Sequence, residues 1–281
     1  MNSRMLKKAQ TALAEAEYVI VLAGAGMSAE LGLPVYYKGK DARYGGQVMS
    51  TGLTAMEHAN AQLWHENREM QIEFFHDSLQ DILNIPIEDE SNHYHVLRNY
   101  LERGSKEYFV MTSNIDRAFA RSGFAEDRIY EIHGSRLKSQ CLDYPGHGVF
   151  RTLCNGERTV CPLCQGDTRP NVMFFNDYEF NYSAVAKQEN NYVGFRSRVA
   201  GRKAVALEIG AGTTVATIRN QSAILNHHFD MPVVRINVDT DDGTDILPPA
   251  DAPIIRVPMS ASDGIKALTR SRQQKKGWRL F

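Results

Sequence analysis

Tyr108-Phe109-Val110-Met111-Thr112-Ser113-Asn114-Ile115-Asp116 opens as an apolar run and breaks into polar residues. After an amphipathic segment the chain returns to Tyr130-Glu131-Ile132-His133-Gly134-Ser135. Tyr108 to Met111 reads as a buried strand. Folding alone gives little reason to place Ser113, Asn114 and Asp116 at its end, with a His-Gly shortly after. In open α/β sheets, ligands sit beyond the carboxyl ends of the strands. An imidazole that titrates near neutral pH suits proton transfer at such an edge. The expectation is chemistry on a small cofactor.

Working outward, further short apolar runs read as strands at Tyr18 to Leu22, Ala204 to Ile209, Met231 to Ile236 and Pro253 to Val257. Residues 3 to 16 carry Leu6, Ala9, Leu13 and Ala16 on one helical stripe, and Thr217 to Phe229 and Ser262 to Arg272 are also helix-like. Near-continuous apolar strands alternating with helices imply a parallel sheet covered on both faces. Two stretches interrupt the rhythm. Residues 36–99 are mostly helical and rich in Met and His, and residues 136–176 hold every cysteine with several Gly and Pro. The expected fold is α/β: a Rossmann-like domain from 1–35, 100–135 and 177–281, and a smaller lobe from a helical insertion (36–99) and a cysteine-bearing module (136–176).

Composition narrows the partners. A formal net charge of -1 gives no electrostatic case for nucleic acid or an anionic membrane. No apolar run approaches the roughly 20 residues of a bilayer span, and Met1 to Tyr18 lacks an apolar signal region. The chain reads as soluble and cytoplasmic. In a reducing compartment, four cysteines confined between Cys141 and Cys164 favour a metal over disulfides. The basic stretch Arg270 to Arg279 reads as a solvated helix end and tail.

Three motifs carry chemistry. The first strand runs into Ala23-Gly24-Ala25-Gly26-Met27-Ser28-Ala29, a G-x-G-x-x-A turn whose glycines let backbone approach a pyrophosphate. It departs from the dehydrogenase pattern: Gly32-Leu33-Pro34 cuts the next helix to about two turns, and no strand-ending acid follows at the distance of roughly 20 residues that holds a ribose. Second, Gly210-Ala211-Gly212 ends a later strand, and Asn237 and Asp239 end the next, where they suit a ribose or equally a turn and a cap. Third, Cys161-Pro162-Leu163-Cys164 is a C-x-x-C knuckle that Cys141 and Cys154 can complete as a closed, structural four-thiolate zinc site. Those first two cysteines are spread over 12 intervening residues. His147 is a substitute for either of them.

In this order the motifs resemble the sirtuin family. Gly24-Ala25-Gly26-Met27-Ser28 and Gly32-Leu33-Pro34 are similar to its Gly-Ala-Gly-x-Ser turn and Gly-Ile-Pro. Thr112-Ser113-Asn114-Ile115-Asp116 resembles Thr-Gln-Asn-Ile-Asp, and His133-Gly134 the catalytic His-Gly. The cysteines fall where the zinc module lies, Gly210-Ala211-Gly212 stands at Gly-Thr-Ser, and Asn237 at the adenosine-ribose contact. The resemblance implies an NAD-dependent protein-lysine deacylase with structural zinc, acting on acyl-lysine proteins or peptides and passing the acyl group to ADP-ribose. It implies His133 as general base, Asn114 positioning the ribose and a water, and Asp116 holding the nicotinamide carboxamide. Gly24, Ala25, Gly26 and Ser28 would line the phosphates, and Tyr36 would wall the nicotinamide. Ser113 would offer a shortened ribose contact.

The departures gather at the acceptor side. Val35-Tyr36-Tyr37 replaces Asp-Phe-Arg, Ser113 replaces Gln, and Phe175-Asn176-Asp177 replaces Phe-Gly-Glu. The first and last of these favour an alternative: ADP-ribosyl transfer to a protein, or NAD hydrolysis, in the same pocket. A catalytically idle NAD sensor is a further alternative, disfavoured by retention of Asn114, Asp116 and His133 together.

Overall fold

The computed structural model describes residues 3–33, 49–239, 246–247 and 250–270. In chain order, helix α1 (Ser3–Glu15) leads into strand β1 (Tyr18–Ala23) and two successive 3-10 turns, Ala25–Met27 and Ala29–Leu31. Five helices follow: α2 (Ala55–His58), α3 (Leu63–Glu66), α4 (Arg68–Asp77), α5 (Leu79–Leu83) and α6 (His93–Arg103). Then come β2 (Glu107–Thr112), α7 (Ala118–Arg121) and strands β3 (Ile129–Glu131), β4 (Gly134–Cys141), β5 (Val149–Arg151) and β6 (Thr168–Val172). The chain ends with α8 (Ser183–Val199), β7 (Ala204–Ile209), α9 (Thr217–Phe229), β8 (Val233–Asn237), β9 (Ile254–Pro258) and α10 (Ala261–Thr269).

Six strands form one sheet in the order β3-β2-β1-β7-β8-β9, and every pairing in it is parallel. Alternation along each strand divides the core. Val19, Val21, Val110, Val205 and Leu207 face a layer that includes Leu13, Leu97, Leu101 and Leu268. Ile20, Leu22, Phe109, Met111 and Ala206 face Val185, Tyr192, Phe195 and Leu225. Both faces are therefore dry, which is why the strands read as continuous apolar runs. Among the described residues, no helix is long and apolar enough to cross a membrane.

The second sheet has three strands, β5-β4-β6, antiparallel throughout. It shares one lobe with the helical insertion. Trp64 and Ile72 from α3 and α4 pack on Val172 and Phe174, and Phe175 donates to and accepts from the backbone at Ala59 and Ala61. Arg68 bridges Asp143 at 2.8 Å and Asp167 at 2.9 Å, and Arg158 bridges Glu69 and Asp167. Exposed pairs contribute little singly, so the aromatic contact is the main tie. Helix α6 begins inside the range read as insertion, and with Ile82, Ile85 and Ile87 its Tyr94 and Leu97 belong to the main core.

The sheet order places β1 between β2 and β7, and the chain visits one side and then the other. The carboxyl ends beside β1 are thus a switch point, where an α/β sheet leaves a crevice.

Candidate active site at the carboxyl edge of the sheet

Parallel register brings the polar strand ends together. Ala23 pairs with Thr112 and with Ile209, Thr112 with Glu131, and Ile209 with Ile236. The segments that leave these positions, Gly24 onward, Ser113 onward, Ile132-His133, Gly210 onward and Asn237, therefore emerge at one edge.

The two glycine turns lie backbone against backbone. A Cβ on Gly24 would stand 2.7 Å from the Gly210 oxygen, and one on Gly26 would stand 2.7 Å from the Gly210 Cα. The Gly26 amide donates to the Gly210 carbonyl at 2.9 Å. Gly210 has φ +59°, a left-handed conformation that favours glycine. The Ala211 carbonyl accepts from Arg219 at 2.8 Å and from Asn237 at 2.9 Å. Arg219 and Arg235 both pair with the buried Glu208. The result is a cradle of bare backbone at the switch point, open on the Gly212 side, where an added Cβ meets nothing within 4 Å.

Beside it lies a buried polar cluster. Ser28 Oγ donates to Asp116 Oδ2 at 2.6 Å. Asn114 Nδ2 donates to Ser28 Oγ at 2.9 Å and to the Gly24 carbonyl at 3.0 Å. Ser28 Oγ also contacts the Tyr94 hydroxyl at 2.9 Å. With the single Ser28 proton committed to the carboxylate, Tyr94 is the donor in that last contact. Asp116 Oδ1 accepts from the Ala118 amide at 2.7 Å. Burial pushes the Asp116 carboxyl up, against the hydrogen bonds from Ser28 and Ala118 that stabilise its charge. Burial likewise pushes the Tyr94 phenol well up, with the Asp116 charge adding to it. So Ser28, Asn114 and Asp116 are brought together, and Tyr94 joins them. A tyrosine on the apolar stripe of an amphipathic helix carries no signal separating it from ordinary core.

His133 follows β3, and Gly134 after it has φ +75° with the Asn171 carbonyl where a Cβ would stand, so only glycine fits there. The imidazole is held down in pKa by burial, opposed by a hydrogen bond to the Ser113 backbone. Its Nε2 lies 3.3 Å from the Thr217 hydroxyl. Thr217, the first residue of α9, was not singled out from the sequence, since a threonine at a helix start reads as an end signal. Asn237 bonds the Ala211 carbonyl from the end of β8. Tyr36, with Val35 and Tyr37, lies outside the described residues.

In the small lobe, Cys141, His147, Cys161 and Cys164 place their ligand atoms within 4.8 Å of one another. Cys141 Sγ and Cys164 Sγ are 3.7 Å apart, and Cys161 Sγ and His147 Nδ1 are 3.4 Å apart. A tetrahedral zinc with ordinary bond lengths requires edges of about 3.8 Å and about 3.6 Å. Burial alone would raise the Cys161 thiol, but hydrogen bonds from the Cys164 and Leu163 backbone bring it down to about 6, toward the thiolate a metal binds. The tight turn Pro145–His147 between β4 and β5 folds His147 back toward Cys141. Cys154 lies past the end of β5, exposed, its Sγ against the Thr152 carbonyl at 3.5 Å and outside the group. The geometry thus gathers the His147 alternative.

The altered Phe175-Asn176-Asp177 keeps its turn, with Asn176 at φ +57°, a conformation asparagine tolerates. Asp177 makes a two-pronged ion pair with Arg169 at 2.9 Å, and also accepts from the Phe174 and Glu179 amides.

Residues 24–191 match the model of the Sir2 family. The chain belongs to the Sir2 family. It is 28% identical over 226 residues to an NAD-dependent protein deacylase of Deinococcus radiodurans, covering 78% of this chain and 86% of that one. It is also 28% identical over 172 residues to NAD-dependent protein deacylase 2 of Pseudomonas syringae, covering 60% and 67%. A solved Sir2 homolog–NAD complex has the same fold, with a TM-score of 0.69 at 22% identity over 94% of this chain and 92% of that one. As a Sir2 member, the chain keeps the family's order of glycine turn, Asn-Ile-Asp and His-Gly within the matched span.

Proposed function

We propose that this chain is an NAD-dependent protein-lysine deacylase working at the carboxyl edge of its six-stranded sheet. The observation that carries the reading is the buried Ser28–Asn114–Asp116 cluster beside a bare-backbone cradle, with His133 at the same edge. The deacylase names of its Sir2 relatives support it.

The cradle suits NAD because two turns leave no side chain between backbone and an approaching pyrophosphate. NAD, when bound, supplies a cleavable nicotinamide–ribose bond and the ADP-ribose to which an acyl group passes. Gly24, Ala25, Gly26 and Ser28, with Gly210, Ala211 and Gly212, would line the phosphates, and Asn237 the adenosine ribose. Asp116 would receive the nicotinamide amide, and its carboxylate is aimed by Ser28 and by the Ala118 amide. Asn114 would place the ribose, its side chain fixed by Gly24 and Ser28. His133, kept neutral by burial, would take the proton of a ribose hydroxyl. A neutral amide oxygen is a weak nucleophile, so alignment has to provide much of the rate. In the small lobe, Cys141, His147, Cys161 and Cys164 would hold a structural zinc that ties β4 to the knuckle.

A second reading, transfer of ADP-ribose to a protein or to water, draws support from the substrate side. Asp177, standing where the family has Glu, is consumed by Arg169 and two backbone amides. Three incubations with NAD separate the readings: with acyl-lysine peptide, with unmodified protein, and with no acceptor. Peptide-dependent formation of O-acyl-ADP-ribose is the expected result. Equal nicotinamide release in all three would replace deacylation by hydrolysis.

A further inference from the structure

The one hydroxyl within hydrogen-bond reach of the His133 imidazole among the described residues belongs to Thr217, at 3.3 Å from Nε2. A neutral imidazole has one N–H and one lone pair, and the bond made by one nitrogen fixes which is which. The Ser113 backbone favours the protonated ring, as a carbonyl that accepts a ring N–H does. A ring N–H given to that carbonyl leaves the nitrogen facing Thr217 as acceptor, with the Thr217 hydroxyl, 3.3 Å away, as donor.

Resting on the reading of His133 as the base, we propose that Thr217 is a positioning residue, whose hydroxyl donates to His133 Nε2 and fixes the imidazole as the Nδ1–H tautomer. The lone pair on Nε2 is then held toward the site, ready for a substrate hydroxyl to take the place of Thr217. In the opposite tautomer, Nε2 carries a proton and can take none.

The charged groups on surrounding elements do not set this state. Asp116, on the loop after β2, is bound by Ser28 and Ala118. Glu131, in β3, faces Arg117 and Lys138. Asp177 is paired with Arg169 beyond β6, Glu189 of α8 is bonded to Tyr130, and Arg219 of α9 faces Glu208. Apart from the Thr217 contact, the influences on the imidazole are burial and the Ser113 backbone.

Nitrogen-15 spectra of the histidine rings, with His133 assigned by its loss in His133→Ala, test the proposal without any ligand. In the unmodified protein, Nε2 should be pyridine-like and Nδ1 pyrrole-like. A donor to the lone pair stabilises the neutral ring, so Thr217→Val should raise the His133 pKa. One hydrogen bond corresponds to a rise of about 0.5–1 pH unit. The acid limb of kcat/KM should move up by the same amount, and Thr217→Ser should restore both. A loosening of α9 would instead lower the rate at every pH without moving the limb. A pyrrole-like Nε2 in the unmodified protein, which needs no variant to fold, overturns the proposal. So does an unmoved pKa in a folded Thr217→Val. Full turnover by His133→Ala would refute the base while leaving the tautomer measurement standing, so the two failures are distinguishable.

Discussion

Replacing Gly210 by alanine tests whether the cradle is built by contact between two backbones. The new Cβ would lie 2.5 Å from the Gly26 Cα, the Gly26 carbonyl carbon and the Met27 nitrogen. Reaching an ordinary contact of 3.4 Å means separating the turns by about 0.9 Å. Neither turn is free to retreat. The Gly24 amide is bound to Ile209 and the Gly210 amide to Ile236, each at 2.9 Å, while Arg219 and Asn237 hold the Ala211 carbonyl. A left-handed alanine costs about 1–2 kcal/mol, and forced overpacking about 1–3 kcal/mol more. The sum, about 2–5 kcal/mol, corresponds to roughly 3–9 °C in Tm for a protein of this size. Gly212→Ala is the control, since its Cβ meets nothing within 4 Å. It should melt within about 1 °C of the unmodified protein, as surface changes usually do, and reveal itself only in NAD binding. Thermal unfolding followed by circular dichroism reads both. A folded Gly210→Ala protein melting within about 2 °C of the original would contradict this, because the αL and overpacking costs together should exceed that.

Asp116→Asn should lower nicotinamide release by at least about 100-fold through lost alignment, yet keep Tm equal or raise it. The folded pKa of Asp116 lies above its unfolded value, so its stabilising form is the protonated one, lost as pH rises, and at neutral pH the buried charge is a cost. The acid limb of kcat/KM should fall below the ordinary histidine value of about 6.5, because burial lowers the His133 pKa. The unfolded chain then takes up the His133 proton first, so stability should decline as pH falls below about 6.5, and His133→Ala should flatten that slope in urea titrations at several pH values. Purified protein should carry one zinc per chain by elemental analysis, retained in Cys154→Ser and lost in Cys161→Ser and His147→Ala.

Much of the fold was readable because buried parallel strands announce themselves. Ala204–Ile209 and Thr217–Phe229 have the bounds their residues suggest; β1 starts at Tyr18 as read and runs one residue further, and β2 is one residue longer at each end. Helix α8 is not legible in the sequence, since only Val185, Tyr192, Phe195 and Val199 are buried in it, too sparse a stripe among charged residues. Strand β3 is three residues long and shows as a strand only through its pairing with β2. At the site, Ser28, Asn114 and Asp116 were legible as motif residues, whereas Tyr94 and Thr217 reach it through tertiary packing that no local pattern encodes. The fourth ligand of the cysteine module is not legible, because spacing does not say which of Cys154 and His147 the turn after β4 returns to the knuckle.

On the proposed reading, the Asn114–Asp116 edge with His133 cleaves NAD in the service of deacylation. The most direct test is nicotinamide released from NAD with an acetyl-lysine peptide, comparing the unmodified protein with Asn114→Ala and His133→Ala. Peptide-stimulated release by the unmodified protein, reduced at least about 100-fold in both variants, is the predicted result. Release that ignores the peptide, or that survives in both variants, would contradict it.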